Sequence, residues 1–236
     1  MYKQVIEDAA IRFSGNHPIV GVEKIELIVR SYLERVDDFN VSSIRLPEDV
    51  LEKHVVDSLA LLLVPEIFSA KDILDVGSGA GFPGLILAAL MPARVGCLES
   101  VGKKCRFIQQ TAAEVGLTNV IVEQGRAEEV SHGSGREMYD FVTARAVAEM
   151  AVLVELCLGF VSVGGIFVAM KGPDCREEVE SAGVAIRMMG GGDVEIIDYT
   201  LPDSGAGRNL VVVRKVTPTP VMLPRRSGVP AKKPLK

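Results

Sequence analysis

The sequence has few residues of the kinds that build metal sites or disulfide frameworks. It has only four cysteines, with no Cys-x-x-Cys pair and no histidine near them at ligand spacing. No secretory signal pattern follows Met1. We therefore predict no metal site, and the cysteine usage favours a reducing, cytoplasmic location. The four cysteines are Cys97, Cys105, Cys157 and Cys175.

Long apolar runs are also scarce. Only residues 150–170 approach the length of about 20 residues that crosses a bilayer. Glu155 would lie well inside such a span, at a cost of about 2.5 kcal/mol or more, and Gly164 with Gly165 divides the run. We therefore predict a buried helix followed by a strand, and no membrane association. The 236 residues, 48% of them apolar, are enough for one α/β domain with extensions.

Acidic residues are absent after Asp203. The last 33 residues contain eight basic residues, which leaves 18 basic against 31 acidic residues in the first 203. Two interpretations stay open: an acidic cofactor domain with a tail that faces a polyanion, or a solvated tail that offsets an acidic body. The eight basic residues are Arg208, Arg214, Lys215, Arg225, Arg226, Lys232, Lys233 and Lys236.

The apolar spacing changes along the chain and predicts three regions. Residues 1–65 repeat apolar positions at helical spacing, which indicates a helical N-terminal cap. Residues 66–216 alternate short apolar runs with helical segments, which predicts a mainly parallel sheet with helices on both faces. The predicted strands are 72–76, 94–98, 119–123, 139–144 and 165–170, and the predicted helices are 83–90, 103–115 and 147–160.

The chain ends in two further predicted features. The apolar runs 194–200 and 209–215, joined by a glycine-containing loop, predict a hairpin at the sheet edge. Residues 217–236 form a basic, proline-rich tail with five prolines. Because proline removes backbone donors, we expect this tail to be extended or disordered unless a partner or its own domain holds it.

A glycine-rich turn follows the first predicted strand. The apolar run that ends at Asp75 and Val76 is followed by Gly77, Gly79 and Gly81. Glycine tolerates positive φ and close backbone approach, and the proline that follows suits a first helical turn. The order of strand, glycine turn and helix predicts a nucleotide-cofactor site.

Two cofactor classes compete for this turn. Residues 79–84 also satisfy Gly-x-Gly-x-x-Gly, and Glu99 lies twenty positions past Gly79, as a dinucleotide site requires. Three observations argue against a dinucleotide site. An acid lies two residues before Gly77, the chain has no Tyr-x-x-x-Lys pair, and it leaves no room for a separate substrate domain. Glu99 offers only acceptors, which match the diol of a ribose. S-adenosylmethionine is therefore favoured over a nicotinamide.

Further candidates follow from the rule that ligands bind beyond the carboxyl ends of parallel strands. Asp75, Glu99 and Arg145 fall at or near such ends, so we expect them to cluster. Phe82 and residues 125–128 are candidates for the adenine and methionine surroundings.

Several ordered motifs make the chain resemble one family, the bacterial glucose-inhibited division protein B or RsmG family. That family methylates guanine N7 in 16S ribosomal RNA with S-adenosylmethionine. The resemblance implies a Rossmann-like class I methyltransferase and cofactor contacts at Gly77, Phe82, Ala127, Glu128 and Arg145, to which we add Ser100. The motifs lie at residues 54–59, 75–84, 99–104, 126–129, 144–146, 170–172 and 224–235.

Guanine N7 carries an in-plane lone pair, so its methylation needs no general base. We predict Arg145 as an organiser of the cofactor pocket, followed by Lys171; a purely structural ion pair of Arg145 with Asp75 or Glu128 is the alternative. His54 and Asp57, one helical turn apart, either face the site or serve packing.

The predicted partner is 16S ribosomal RNA or the small ribosomal subunit, and the predicted state is a monomer. The alternatives are a small-molecule methyltransferase and a cofactor-binding assembly factor without turnover.

Lys103 and Lys104 either contact RNA phosphates or form a solvent-exposed helix face. The predicted RNA-binding residues are Lys103, Lys104, Arg225, Arg226, Lys232 and Lys233.

Overall fold

Helices dominate residues 3–68, as the apolar spacing predicted for the N-terminal region. The computed structural model describes residues 2–145 and 148–235. Two amphipathic helices come first, and a nearly continuous helical stretch with one wide π-helical segment follows. The elements are α1 (Lys3–Ser14), α2 (Val22–Phe39), α3 (Pro47–Val50), the π-helix Leu51–Val56, α4 (Asp57–Leu59) and the 3-10 turns Ala60–Leu63 and Pro65–Phe68.

In the described part of the chain, seven strands form one mixed sheet in the order β3-β2-β1-β4-β5-β7-β6. Strands β1 to β5 pair in parallel, and β7 pairs antiparallel with both β5 and β6. The predicted hairpin at the sheet edge is therefore confirmed. The strands are β1 (Asp72–Val76), β2 (Arg94–Glu99), β3 (Val120–Gln124), β4 (Tyr139–Arg145), β5 (Val161–Lys171), β6 (Gly191–Thr200) and β7 (Gly207–Lys215).

Strand β5 begins earlier than its apolar pattern predicted. Its first residue, Val161, pairs with Tyr139, and an irregularity in the register separates this pair from the next one. Gly164 has φ +93° within the irregular segment. Gly164, which was expected to precede the strand, therefore lies inside it.

Helices cover both faces of the sheet and enclose two apolar clusters. One cluster joins the N-terminal helices to the helices that follow β1 and β2, and the other lies beneath the helices that follow β4 and β5. Val147, where the third helix was expected to begin, lies outside the described residues. The helices of the core are α5 (Gly84–Leu90), α6 (Gly102–Val115), α7 (Ala127–Val130), α8 (Met150–Cys157), α9 (Arg176–Ser181) and α10 (Gly183–Met188).

The proline-rich tail packs against the core. Leu223 and Leu235 are buried in the second apolar cluster, and the tail forms a short helix, α11 (Val229–Lys232). Glu155, the acid that interrupts the apolar run, is fully buried and pairs with Arg225. The protein's own core therefore holds the tail. Within the described residues, no helix is both long and apolar enough to span a bilayer.

Candidate functional site

A cleft of about 600 Å³ lies beyond the carboxyl ends of three parallel strands. Gly77 follows β1, and Arg145 and Lys171 end β4 and β5; all three line the cleft. The opposite wall comes from the N-terminal region and the hairpin. The volume of the cleft falls within the range of about 300–1,000 Å³ that is typical of small-molecule sites.

The glycine turn forms one wall of this cleft. Gly77 and Gly79 have φ of +74° and +59°, and both line the cleft. A Cβ atom at Gly79 would meet only the Gly77 carbonyl oxygen, at 3.9 Å, so the backbone here is open to a ligand. Gly81 is not among the lining residues, and a Cβ there would lie 2.5 Å from Leu85 Cδ1, so its lack of a side chain leaves room for the core. Its assignment to the cofactor stays a prediction. The turn therefore fits a cofactor that passes close to its backbone.

Asp75 anchors the helix that follows the turn. Its Oδ2 accepts the Gly84 N–H at 2.9 Å, while Oδ1 is buried without a hydrogen-bond partner among the described residues. Burial is the main cause that raises the pKa of the Asp75 carboxyl to about 6. The first N–H groups of a helix are free to bind a ligand carboxylate unless a side chain accepts from them. Asp75 occupies one of them.

Glu99 ties the second strand to the glycine turn. Its Oε2 accepts the Gly79 N–H at 3.0 Å, and its Oε1 accepts the Val101 N–H at 2.9 Å and the Ser100 hydroxyl at 3.4 Å. The side chain is buried, but it does not line the cleft. Its assignment to a ribose, and that of Ser100 to the cofactor, stay predictions.

Ala127 and Glu128 lie at the start of α7, outside the lining of the cleft. Glu128 is buried, and its Oε1 accepts the N–H of Gly228 in the tail at 2.8 Å. This acid therefore connects the turn after β3 to the tail. The cofactor contacts that the resemblance implies for both residues stay predictions.

Arg145 joins the N-terminal region to the glycine turn. Its Nη1 donates to the Lys53 carbonyl at 2.8 Å and to Asp57 Oδ2 at 3.1 Å. Its Nη2 donates to His54 Nδ1 at 3.0 Å and reaches the Phe82 carbonyl at 3.4 Å. Its ion-pair partner is Asp57, and not the Asp75 or Glu128 that the structural alternative named. With four acceptors around it, the guanidinium fixes the two walls of the cleft against each other.

His54 and Asp57 both face the cleft, which resolves the two readings of this pair. The His54 ring stacks on Phe82, with centroids 4.7 Å apart and planes 2° from parallel. Burial, followed by the charge of Arg145, lowers the pKa of His54 to about 3. Because Nδ1 accepts from Arg145, we assign the proton of the neutral ring to Nε2, near the hydroxyls of Tyr32 and Ser42.

Several residues that line the cleft were not predicted from the sequence. Tyr199 and Arg208 face each other across the β6–β7 hairpin, and residues 42–44 follow α2. The Tyr199 hydroxyl donates to Asp57 Oδ1 at 2.7 Å, and Arg208 Nε lies 3.7 Å from the same oxygen. Arg208 was counted only as part of the basic C-terminal segment. No local motif marks these residues, since docking of the hairpin brings them to the cleft.

The predicted basic residues divide into paired and exposed groups. Lys171 lines the cleft, and its Nζ pairs with Glu178 at 2.6 Å and donates to the Ala148 carbonyl. Arg225 was predicted to bind RNA, but its backbone N–H, Nε and Nη2 all donate to Glu155. Its guanidinium therefore serves as an anchor of the tail. Lys104 lines the cleft, and Lys103, Arg226, Lys232 and Lys233 are exposed.

Two solved structures illustrate the fold that this chain shares. Cofactor-bound Rv0187 from MTB aligns with a TM-score of 0.60 and 17% identity, over 92% of this chain and 99% of that one. A SAM-dependent O-methyltransferase from Thermotoga maritima aligns with a TM-score of 0.52 and 14% identity, over 82% and 72%. At such low sequence identities, the two alignments support the fold alone. They confirm the predicted Rossmann-like fold of class I methyltransferases.

Comparisons of sequence identify the family of this chain. The ribosomal RNA small subunit methyltransferase G of Symbiobacterium thermophilum is 41% identical, over 99% of this chain and 98% of that protein. The protein of the same name from Deinococcus radiodurans is 46% identical, over 83% of this chain and 78% of that protein. Residues 22–202 match the GidB family model, described as rRNA small subunit methyltransferase G. The resemblance found in the motifs is thereby confirmed, and the chain belongs to the GidB family of rRNA small subunit methyltransferases G.

Proposed function

We propose that this protein transfers a methyl group from S-adenosylmethionine to N7 of a guanine in 16S ribosomal RNA. The cleft carries the proposal, because a glycine turn with an open backbone and five basic side chains line the same cavity. These side chains are Lys53, Lys104, Arg145, Lys171 and Arg208. Family membership and the relatives' names support a ribosomal RNA of the small subunit as the substrate.

The residues at the glycine turn fit the cofactor. Gly77 and Gly79 would hold it through their backbone, next to the Phe82 ring, while Glu99 and the segment 127–128 would hold its adenosine part. S-adenosylmethionine supplies an electrophilic methyl group on a sulfonium sulfur. Arg145 would keep this wall of the cleft in register with the N-terminal region that faces it.

No proton has to leave guanine N7 before its lone pair attacks the methyl group. Consistent with this chemistry, the histidine at the cleft, His54, has a pKa of about 3 and is unsuited to act as a base near neutral pH. Alignment of nucleophile, methyl carbon and sulfur can then supply up to roughly 7–11 kcal/mol of the barrier reduction. Arg145 and Lys171 are proposed to organise that alignment.

Methyl transfer can be measured directly with tritiated S-adenosylmethionine. The substrate is small-subunit RNA, naked or in subunits, from cells that lack this methyltransferase. N7-methylguanosine in the digested RNA supports the proposal. A different methylated nucleoside, label only in small molecules, or cofactor binding without transfer would each contradict it.

The exposed lysines of the tail are proposed to contact RNA phosphates. Truncation after Lys215 is a poor test, because it would also remove Leu223 and Leu235 from the core. The double substitution Lys232→Gln and Lys233→Gln is sharper. It should lower the slope of log affinity against log salt by about two and leave cofactor affinity unchanged. The control is Lys24→Gln, which replaces an exposed lysine of α2.

We further propose that the protein is cytoplasmic and monomeric.

A further inference from the structure

The cleft has a second wall that the cofactor does not account for. Lys53 and Asp57 come from the helical stretch after α3, Tyr199 and Arg208 from the hairpin, and residues 42–44 from the loop after α2. Arg145 holds this wall against the glycine turn. The space between the walls is therefore where a second substrate would meet the cofactor.

Asp57 has an unusual position in this wall. Among the described residues that line the cleft, it is the sole acid, surrounded by basic side chains. The Tyr199 hydroxyl donates to Oδ1 at 2.7 Å, and Arg145 donates to Oδ2 at 3.1 Å. Burial raises the pKa of Tyr199, so its hydroxyl stays a donor. A carboxylate oxygen has two lone-pair sites, so each oxygen retains capacity for a donor from a ligand.

The geometry of guanine decides which of its edges would meet this carboxylate. N7 belongs to the five-membered ring, whereas N1–H and the 2-amino group lie on the far side of the six-membered ring. When N7 points toward the glycine wall, these two donors point toward the opposite wall. Two adjacent donors match the two oxygens of a carboxylate.

We propose that Asp57 is the specificity-determining residue for the target guanine and accepts hydrogen bonds from its N1–H and 2-amino groups. This inference rests on the proposed function. It also favours the reaction, because methylation at N7 leaves positive charge on the ring and strengthens these donors. Interactions that strengthen in the transition state raise the rate of the chemical step.

The surrounding basic residues fit the same arrangement. Lys53 and Arg208 have side chains that are 44% and 28% exposed, so both stand toward the mouth of the cleft. They suit the phosphates on either side of an extruded nucleotide, since phosphate contacts position a nucleic acid without reading its sequence. Asp57, which is 6% exposed, lies deeper, where the base would lie.

The test replaces the target guanine with inosine, which lacks the 2-amino group and keeps N7 and N1–H. Small-subunit RNA with this single change is made by splinted ligation. We expect inosine to lower kcat/KM of the wild-type protein by about ten- to a hundredfold, the effect of one hydrogen bond to a charged group. With Asp57→Asn, guanine and inosine should react at nearly equal, low rates.

Tyr199→Phe is the matched control, because it removes a donor to Asp57 and leaves the carboxylate in place. It should keep the preference for guanine. Calorimetry with S-adenosylmethionine checks that each variant retains the cofactor site. Equal use of guanine and inosine by the wild-type protein would overturn the inference, even if Asp57→Asn failed to fold. A preference that persists in Asp57→Asn would overturn it too. Failure of the wild-type protein to methylate either RNA would instead contradict the proposed function.

Discussion

Replacing Arg225 with alanine should destabilise the whole protein, because it removes the guanidinium and its two hydrogen bonds to the Glu155 carboxylate and leaves only the backbone N–H of residue 225. Glu155 is fully buried and accepts hydrogen bonds from the Arg225 backbone N–H at 2.8 Å, from Nε at 2.8 Å and from Nη2 at 2.6 Å. Removal of one partner from a buried pair typically costs about 3–5 kcal/mol. Because the Arg225 side chain is 27% exposed, water can reach the vacated position, and we expect about 3 kcal/mol.

Thermal unfolding measures this loss. For a chain of this length, about 3 kcal/mol lowers Tm by roughly 6–12 °C. Arg176 offers a control, since it forms an ion pair with Asp198 at a similar distance, 2.8 Å, with both side chains 64% exposed. Arg176→Ala should cost no more than about 1 kcal/mol.

A double substitution separates the buried charge from lost packing. Arg225→Met with Glu155→Leu removes both charges and should recover most of the stability lost in Arg225→Ala, because a buried pair can be replaced by apolar residues at little cost. If Arg225→Ala were no more destabilising than Arg176→Ala, the tail would not depend on this pair and the reasoning would be refuted.

Three further predictions concern buried groups and the glycine turn. Burial lowers the pKa of Lys215 from 10.5 to about 8, so the unfolded chain binds more protons between these values. The free energy of unfolding should therefore rise across that window by up to about 1.4 kcal/mol per pH unit, and in urea titrations Lys215→Met should lack this rise. Burial lowers the pKa of His54 from 6.5 to about 3, so the free energy of unfolding should fall as the pH drops through that range. The free energy of unfolding of His54→Gln should fall less over the same range. Parallel pH curves for the two proteins would contradict the lowered pKa. Gly81→Ala should cost about 2 kcal/mol, because Gly81 has φ +90° and the new Cβ would meet Leu85. The control Gly79→Ala, at φ +59° in open space, should cost about 1 kcal/mol, and equal losses in thermal unfolding would argue against a packing role for Gly81.

Local patterns predicted the elements that depend on neighbours in sequence. The first strand has the predicted bounds, Asp72–Val76, and the glycine turn and the edge hairpin lie where the apolar runs and glycines indicated. Such features follow from side-chain periodicity and from the backbone freedom of glycine, which act over a few residues. Strand β5 was placed too short, because its first pair with Tyr139 depends on the neighbouring strand.

The sequence by itself determined the fold class, the glycine turn and the resemblance to a family, and the comparisons confirmed both fold and family. Only the tertiary structure decided which charges meet: Arg145 pairs with Asp57, 88 residues away, and Arg225 with Glu155, 70 residues away. Opposite charges are common along the chain, so their pattern does not select a partner. The docking of the N-terminal helices and the tail onto the sheet selects it, because burial makes an unpaired charge costly.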